Sequence, residues 1–174
     1  MKGKRVYLRY PEPADFGELS ELYKSSRKHL QAFMTSRYDR GAFERMLEDS
    51  TKESNEYFRI CGRQDDAIVG TINLSQTFRK AFQNAYLGYM LGAEFTSRGY
   101  MTEAVELILK YAFRELNLHR IEANVQPTNA PSIAVLRRNG FSKEGFSRRY
   151  LRIGGRWRDH ERWAIIKEDW EPRE

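Results

Sequence analysis

The stretch EFTSRGYMTEAV, Glu94 to Val105, sets Arg98 beside Gly99 at the mouth of an apolar-periodic run. A helix that begins after a short glycine-containing loop presents unpaired N–H groups and the positive end of its dipole, and together these favour an anion. Gly99 lets the backbone approach a ligand closely and accepts dihedral angles that a side chain resists, while Arg98 adds a cation suited to a phosphate. A plain turn with a surface arginine has the same letters, so the neighbouring segments decide. Downstream, NAPSIAVLRRNGF starts at Asn129 as an N-cap, carries Pro131 in its first turn and stops at Asn139-Gly140. The one cysteine, Cys61, lies in the strand-like EYFRICGRQ and reads as a structural thiol. With His29, His119 and His160 scattered, neither a Cys-His nucleophile pair nor a zinc ligand set has the right spacing. No metal site is expected.

Such a helix mouth needs a sheet to hold it. RVYLRYPEPADF alternates Val6, Leu8 and Tyr10 and breaks at Pro11 and Pro13, a strand and a turn, with Asp15 placed to cap the next segment. Phe16, Leu19, Leu22 and Tyr23, then Phe43, Met46 and Leu47, recur at helical spacing and predict two short helices. EYFRICGRQ, AIVGTINLSQT and AYLGYMLG read as three strands whose short loops imply an antiparallel meander. Met101, Ala104, Val105, Ile108, Ala112 and Leu116 predict a helix from about Thr102 to Leu116. HRIEANVQ is the next strand, and strand, helix, strand in this order implies a right-handed parallel crossover. The tail, GFSRRYLRIGGRWRDHERWAIIK, gives two strands about a Gly154-Gly155 hairpin signal. The fold class is α/β (α+β), a mixed and mostly antiparallel central sheet flanked by helices.

The chain has 174 residues and 20.6 kDa, 40% hydrophobic and 13% aromatic, enough for one domain over residues 1–174 with a core that needs no disulfide or metal. Those fractions exclude a disordered or fibrous chain. No apolar run approaches the ~20 residues a membrane span requires, and MKGKRVYLRYPEP lacks the apolar centre of a signal peptide, so a cytoplasmic protein is expected. A formal charge of +6 and a pI near 9.5 favour anionic partners: a phosphate-bearing cofactor, an acidic substrate or RNA. The basic residues read as dispersed along the chain.

YLGYML, SRGYMTEA and NAPSIAVLRRNGF, in this order, resemble the acetyl-CoA-binding core of the GNAT acyltransferases. EAN, NGFSKEGF and YLRIGGRWRDH are similar to the RimJ and RimL branch, nearer RimJ, whose members acetylate N-terminal residues of ribosomal proteins. The family loop pattern is Gln or Arg, two residues, Gly, one residue, then Gly or Ala. Here Thr96 and Met101 depart from it and Gly99 agrees. The resemblance implies that backbone N–H groups across Ser97, Arg98, Gly99, Tyr100, Met101 and Thr102 hold the CoA pyrophosphate. It also implies that the Tyr89, Met90 and Leu91 backbone pairs with the pantetheine arm like an added strand, and that Asn129 contacts that arm. Ser132 matches the serine proposed in the RimL branch as the acid that protonates the leaving thiolate; helix-start hydrogen bonding is its other role. A tyrosine that serves this purpose in other members is replaced by Leu136.

Glu122 and Asn124 share a face of the RIEANV strand beside the implied thioester, which makes Glu122 the candidate base, through water, or else a partner of Arg120. In RimL-like enzymes a glutamate is proposed near the final hairpin; Leu151 stands there. Phe33, Tyr86 and Trp157 are candidates for the acceptor slot, walled by RKHLQAFMTSRYD and RIGGRWRDH, with core packing as their alternative. The expected activity is direct acetyl transfer from acetyl-CoA to the N-terminal alanine of a ribosomal protein. The alternatives are a small amine acceptor, such as a polyamine, amino sugar or drug, or a non-catalytic acetyl-CoA- or RNA-binding module. Basic slot walls weigh against a polyamine. A protein N-terminus is the expected partner, with no specific nucleic-acid or membrane binding, in a monomer or dimer.

Overall fold

Seven strands form in the computed structural model, which describes residues 1–34 and 38–171. In β1 (Val6–Arg9) the expected alternation is visible as buried Val6 and Leu8 against half-buried Tyr7 and Arg9. It pairs antiparallel with β2 (Glu56–Gly62), β2 with β3 (Ile68–Phe78), and β3 with β4 (Asn84–Leu91), so the expected meander forms. A crossover through α4 (Tyr100–Lys110) then returns the chain to β5 (Arg120–Val125), parallel to β4. The final hairpin, β6 (Ser142–Ile153) and β7 (Arg156–Ile166), turns at Gly154 and Gly155, both with positive φ (+56° and +78°) as a tight two-residue turn requires. Strand β7 inserts next to β5, so the order is β1-β2-β3-β4-β5-β7-β6 and β6 is an edge.

Helices cover both faces. Val105, Ile108 and Phe113 pack on Val6, Ile60, Ile72 and Leu87, while Leu19, Leu22 and Phe43 pack on Cys61, Ile68 and Met90 from the other side. Three local expectations change. The segment after β1 forms three helices rather than two, α1 (Phe16–Ser25), α2 (Arg27–Leu30) and α3 (Arg40–Asp49). Buried Ser26 interrupts the first of them, its Oγ accepting the Ala93 N–H across the fold at 2.9 Å. Asp15 stands before α1 but makes no cap there; its carboxylate binds Arg9 at 2.6 Å and Arg59 at 3.0 Å. Helix α4 starts two residues earlier than expected and widens into a π turn, Tyr111–Glu115, where the Leu116 N–H reaches the Tyr111 carbonyl at 3.1 Å. That turn keeps Ala112 and Phe113 in the core.

Candidate active site

The site begins with a parting of strands. β4 and β5 are in register only from Asn84, Ala85 and Tyr86 to Arg120, Ile121 and Glu122. Beyond that, Tyr89, Met90 and Leu91 remain paired on one side with Ile72, Thr71 and Gly70 of β3, and their other edge faces the gap. An unpaired strand edge of this kind is a template for an extended, amide-bearing ligand. Asn124, two residues past the last β5 residue paired with β4, has its Oδ1 buried with no hydrogen-bond partner among the described residues.

At the mouth of α4, Ser97 (φ +60°) and Gly99 (φ +79°) are both left-handed and bracket Arg98. Alternation of this sort curls consecutive N–H groups toward one concavity. The Glu103 N–H is the first to find a helical partner, the Gly99 carbonyl at 3.1 Å, and no side chain caps the helix. The amides of Tyr100, Met101 and Thr102 are therefore left to an incoming anion.

Across the gap lies α5 (Ala130–Arg138), capped by Asn129, whose Oδ1 accepts the Ser132 N–H at 3.2 Å. The cap fixes Ser132 in the first turn. Its hydroxyl lies 2.7 Å from the Tyr89 hydroxyl, which is also 3.3 Å from the Ser132 carbonyl. Burial pushes the Tyr89 hydroxyl pKa up to about 12, with the Ser132 hydrogen bond pulling the other way. A neutral phenol and a serine thus join the two sides of the gap.

A cavity of about 1530 Å³ runs from this gap to the outer groove between α4 and α5, much longer than a small amine needs. Tyr89, Met90, Leu91, Ser97, Gly99 and Tyr100 line it, as do Met101, Thr102, Asn129 and Ser132. Phe33 lines its other end with His29, Leu30 and Met34, where the Gln126 amide ties the Ala32 carbonyl to the end of β5 at 3.1 Å. Residues 35–37 of that wall lie outside the described residues.

Four expected site residues stand elsewhere. Arg98 lines a separate recess with Lys4, Arg5 and Arg63, its guanidinium 5.8 Å from the centre of the Phe95 ring. Glu122 accepts Arg120 Nε at 2.9 Å, Arg120 also binds Glu144, and the Glu122 carboxylate does not line the cavity. Tyr86 pairs with Glu122 where β4 and β5 are closed, and burial followed by the Glu122 charge raises its pKa. Trp157 is 61% exposed near the hairpin turn. The sequence reading missed a cationic border: Lys110, Arg114 and Arg138 line the outer groove, Arg114 with its guanidinium 5.4 Å from the centre of the Trp170 ring. Lys110 and Arg114 stand four apart, one helical turn, which was the available signal.

Residues 5–142 match the model of the acetyltransferase (GNAT) domain. Over 177 residues, 97% of this chain and 98% of the relative, the sequence is 40% identical to the probable N-acetyltransferase YjcK of Bacillus subtilis (strain 168). It is 34% identical over 176 residues to the [ribosomal protein uS5]-alanine N-acetyltransferase of Escherichia coli (strain K12), covering 97% of this chain and 91% of that one. Among solved structures, Mycobacterium smegmatis RimJ in complex with CoA-disulfide superposes with a TM-score of 0.87 at 30% identity, over 94% of this chain and 82% of the other.

Proposed function

The chain belongs to the GNAT acetyltransferase family and is an acetyl-CoA-dependent N-acetyltransferase; from that premise we propose that its acceptor is the N-terminal alanine of a ribosomal protein, met in the cytoplasm. The 34% identity to the uS5-alanine enzyme along 97% of the chain carries this choice of acceptor. The open gap and the α4 mouth suit the two halves of acetyl-CoA. The strand edge from Tyr89 to Leu91 takes the amide-bearing arm, and the free amides after Gly99 take the pyrophosphate. Lys110 and Arg114 add charge along the outer groove.

In the proposed reaction a free α-amine, with a pKa near 8, attacks in its neutral form. Its lone pair bonds to the thioester carbonyl carbon, and the carbonyl pair moves to oxygen. When that pair returns, the C–S bond breaks, the thiolate takes the Ser132 hydroxyl proton, and Tyr89 replaces that proton from behind. The surplus proton on nitrogen passes to water, with Glu122 as the candidate base through that water, and Tyr89 regains a proton from water once the thiol has formed. No covalent acyl-enzyme is needed, and Cys61, fully buried in β2, is out of reach.

The acceptor is tested by thiol release from acetyl-CoA with a peptide beginning in Ala, the same peptide N-terminally blocked, and spermidine. Release is expected with the free Ala peptide alone, and release only with spermidine rejects the assignment. The cofactor half is tested separately. A β-branched side chain at φ +79° carries strain of about 1–3 kcal/mol. Gly99→Val is therefore expected to weaken CoA binding roughly 5- to 150-fold in calorimetry; unchanged affinity would remove the α4 mouth from the binding site.

A further inference from the structure

The positive charge, expected to be dispersed, includes one dense run. Residues 148–158 read RRYLRIGGRWR, with five arginines and no Asp or Glu, against a formal charge of +6 for the whole chain. The fold makes this stretch the distal part of the β6–β7 hairpin, at the sheet edge. Arg148, Arg149, Arg152, Arg156 and Arg158 are all exposed. Among the described residues none of their guanidinium groups enters an ion pair, and Arg152 Nε reaches only the Gly155 carbonyl at 3.3 Å. Asp159, the next carboxylate along, accepts the backbone N–H of Arg149 at 2.7 Å. Two aromatic rings stand among the arginines, Tyr150 at 37% exposed and Trp157 at 61%.

The register distributes these groups over both faces of the ribbon. Cross-strand partners share a face, so Arg152 lies with Trp157, whereas Arg156 and Arg158 lie opposite with Ile153 and Leu151. We propose that this hairpin docks single-stranded RNA without regard to sequence, its arginines holding phosphates and Trp157 and Tyr150 stacking on bases. A flexible phosphodiester strand reaches cations on both faces of a two-stranded ribbon; a flat anionic membrane meets only one. Guanidinium forks match phosphate oxygens bidentately, and aromatic rings between cations add stacking that an acidic peptide has no bases to use. The proposal goes beyond acetyl transfer and stands whatever the acceptor amine is.

The test is fluorescence anisotropy of a labelled oligouridine of about 16 nucleotides with the full chain, titrated between about 50 and 200 mM salt. Binding is expected to weaken with salt, with a log-log slope approaching about −3.5 if all five arginines are engaged. R148S/R152S/R156S is expected to flatten that slope by about 2, while the matching triple lysine variant keeps it. Trp157→Ala is expected to weaken binding about tenfold with the slope unchanged. Unaltered melting temperatures establish that these surface variants fold. The proposal is overturned by absent RNA binding, by a slope that the triple serine variant does not change, or by tighter binding to polyglutamate or to phosphatidylserine vesicles than to oligouridine.

Discussion

Asp15→Ala is expected to cost about 3–5 kcal/mol of folding stability, because it strands a buried cation. Arg59 has a side chain only 2% exposed, and its Nε donates to Asp15 Oδ2 at 3.0 Å. Its other neighbours are soft, the Met46 sulfur at 3.9 Å and the face of Phe43 at 5.7 Å. The same carboxylate binds Arg9 at 2.6 Å and accepts the Glu12 N–H at 2.8 Å, so it clasps β1, β2 and the start of α1 together. Burial pushes the Asp15 pKa up, but hydrogen bonds from Arg9, Glu12 and Arg59 outweigh it and leave the value below the ordinary carboxylate range. A pKa lowered by folding stabilises the native state above the unfolded value, near 3.9, and that contribution is lost as pH falls through the lower native value. Urea denaturation of wild type and Asp15→Ala at neutral pH checks the first statement. Repeating it toward pH 3 checks the second, since the difference between the two proteins should shrink there. A neutral-pH difference under about 1 kcal/mol would mean that water, not Asp15, compensates Arg59.

Asp15 also marks the limit of what local sequence can convey. Its identity and position suit a helix cap, and a carboxylate before an amphipathic run is ordinarily read so. Its partner Arg59 lies 44 residues away, beyond any spacing rule. The elements that were legible are those fixed within a turn or two: the stripe of α4, the Asn129 cap of α5, and the Gly154-Gly155 turn. Strand order was only partly legible. The hairpin could be read from its glycines, yet nothing local shows that β7 rather than β6 lies beside β5, so that Arg120 meets Glu144 of β6 across β7. The proposed cofactor side was readable because consecutive backbone amides would form it. The expected acceptor side was to be assembled from distant segments, Phe33, Tyr86 and Trp157, and of these only Phe33 lines the cavity, while Trp157 is left exposed near the hairpin tip.

Ser132→Ala is expected to lower kcat about 10²- to 10³-fold in acetyl transfer, with little change in the KM for acetyl-CoA. The variant keeps the helix start intact, since Asn129 caps through the Ser132 backbone N–H rather than its hydroxyl. A lost proton donor is then the main consequence, and stability should change by less than about 1 kcal/mol. The size follows from acidity. A serine alcohol is about as weak an acid as water, far weaker than a thiol, which titrates at about 8.5, so a lone serine gives up its proton steeply uphill. Tyr89, at about 12 and 2.7 Å away, lets the deficit rest on a phenolate instead of an alkoxide. Tyr89→Phe should accordingly lower kcat by a smaller factor, about 10-fold, and Ser132→Ala/Tyr89→Phe should be no slower than Ser132→Ala, because both substitutions break one chain of donors. Leu136, fully buried in α5, holds no hydroxyl that could substitute. Three kinetic profiles decide the matter. Equal kcat in wild type and Ser132→Ala would remove the serine as the acid; a large Ser132→Ala effect with wild-type turnover in Tyr89→Phe would keep the serine and leave Tyr89 as a strut between β4 and α5.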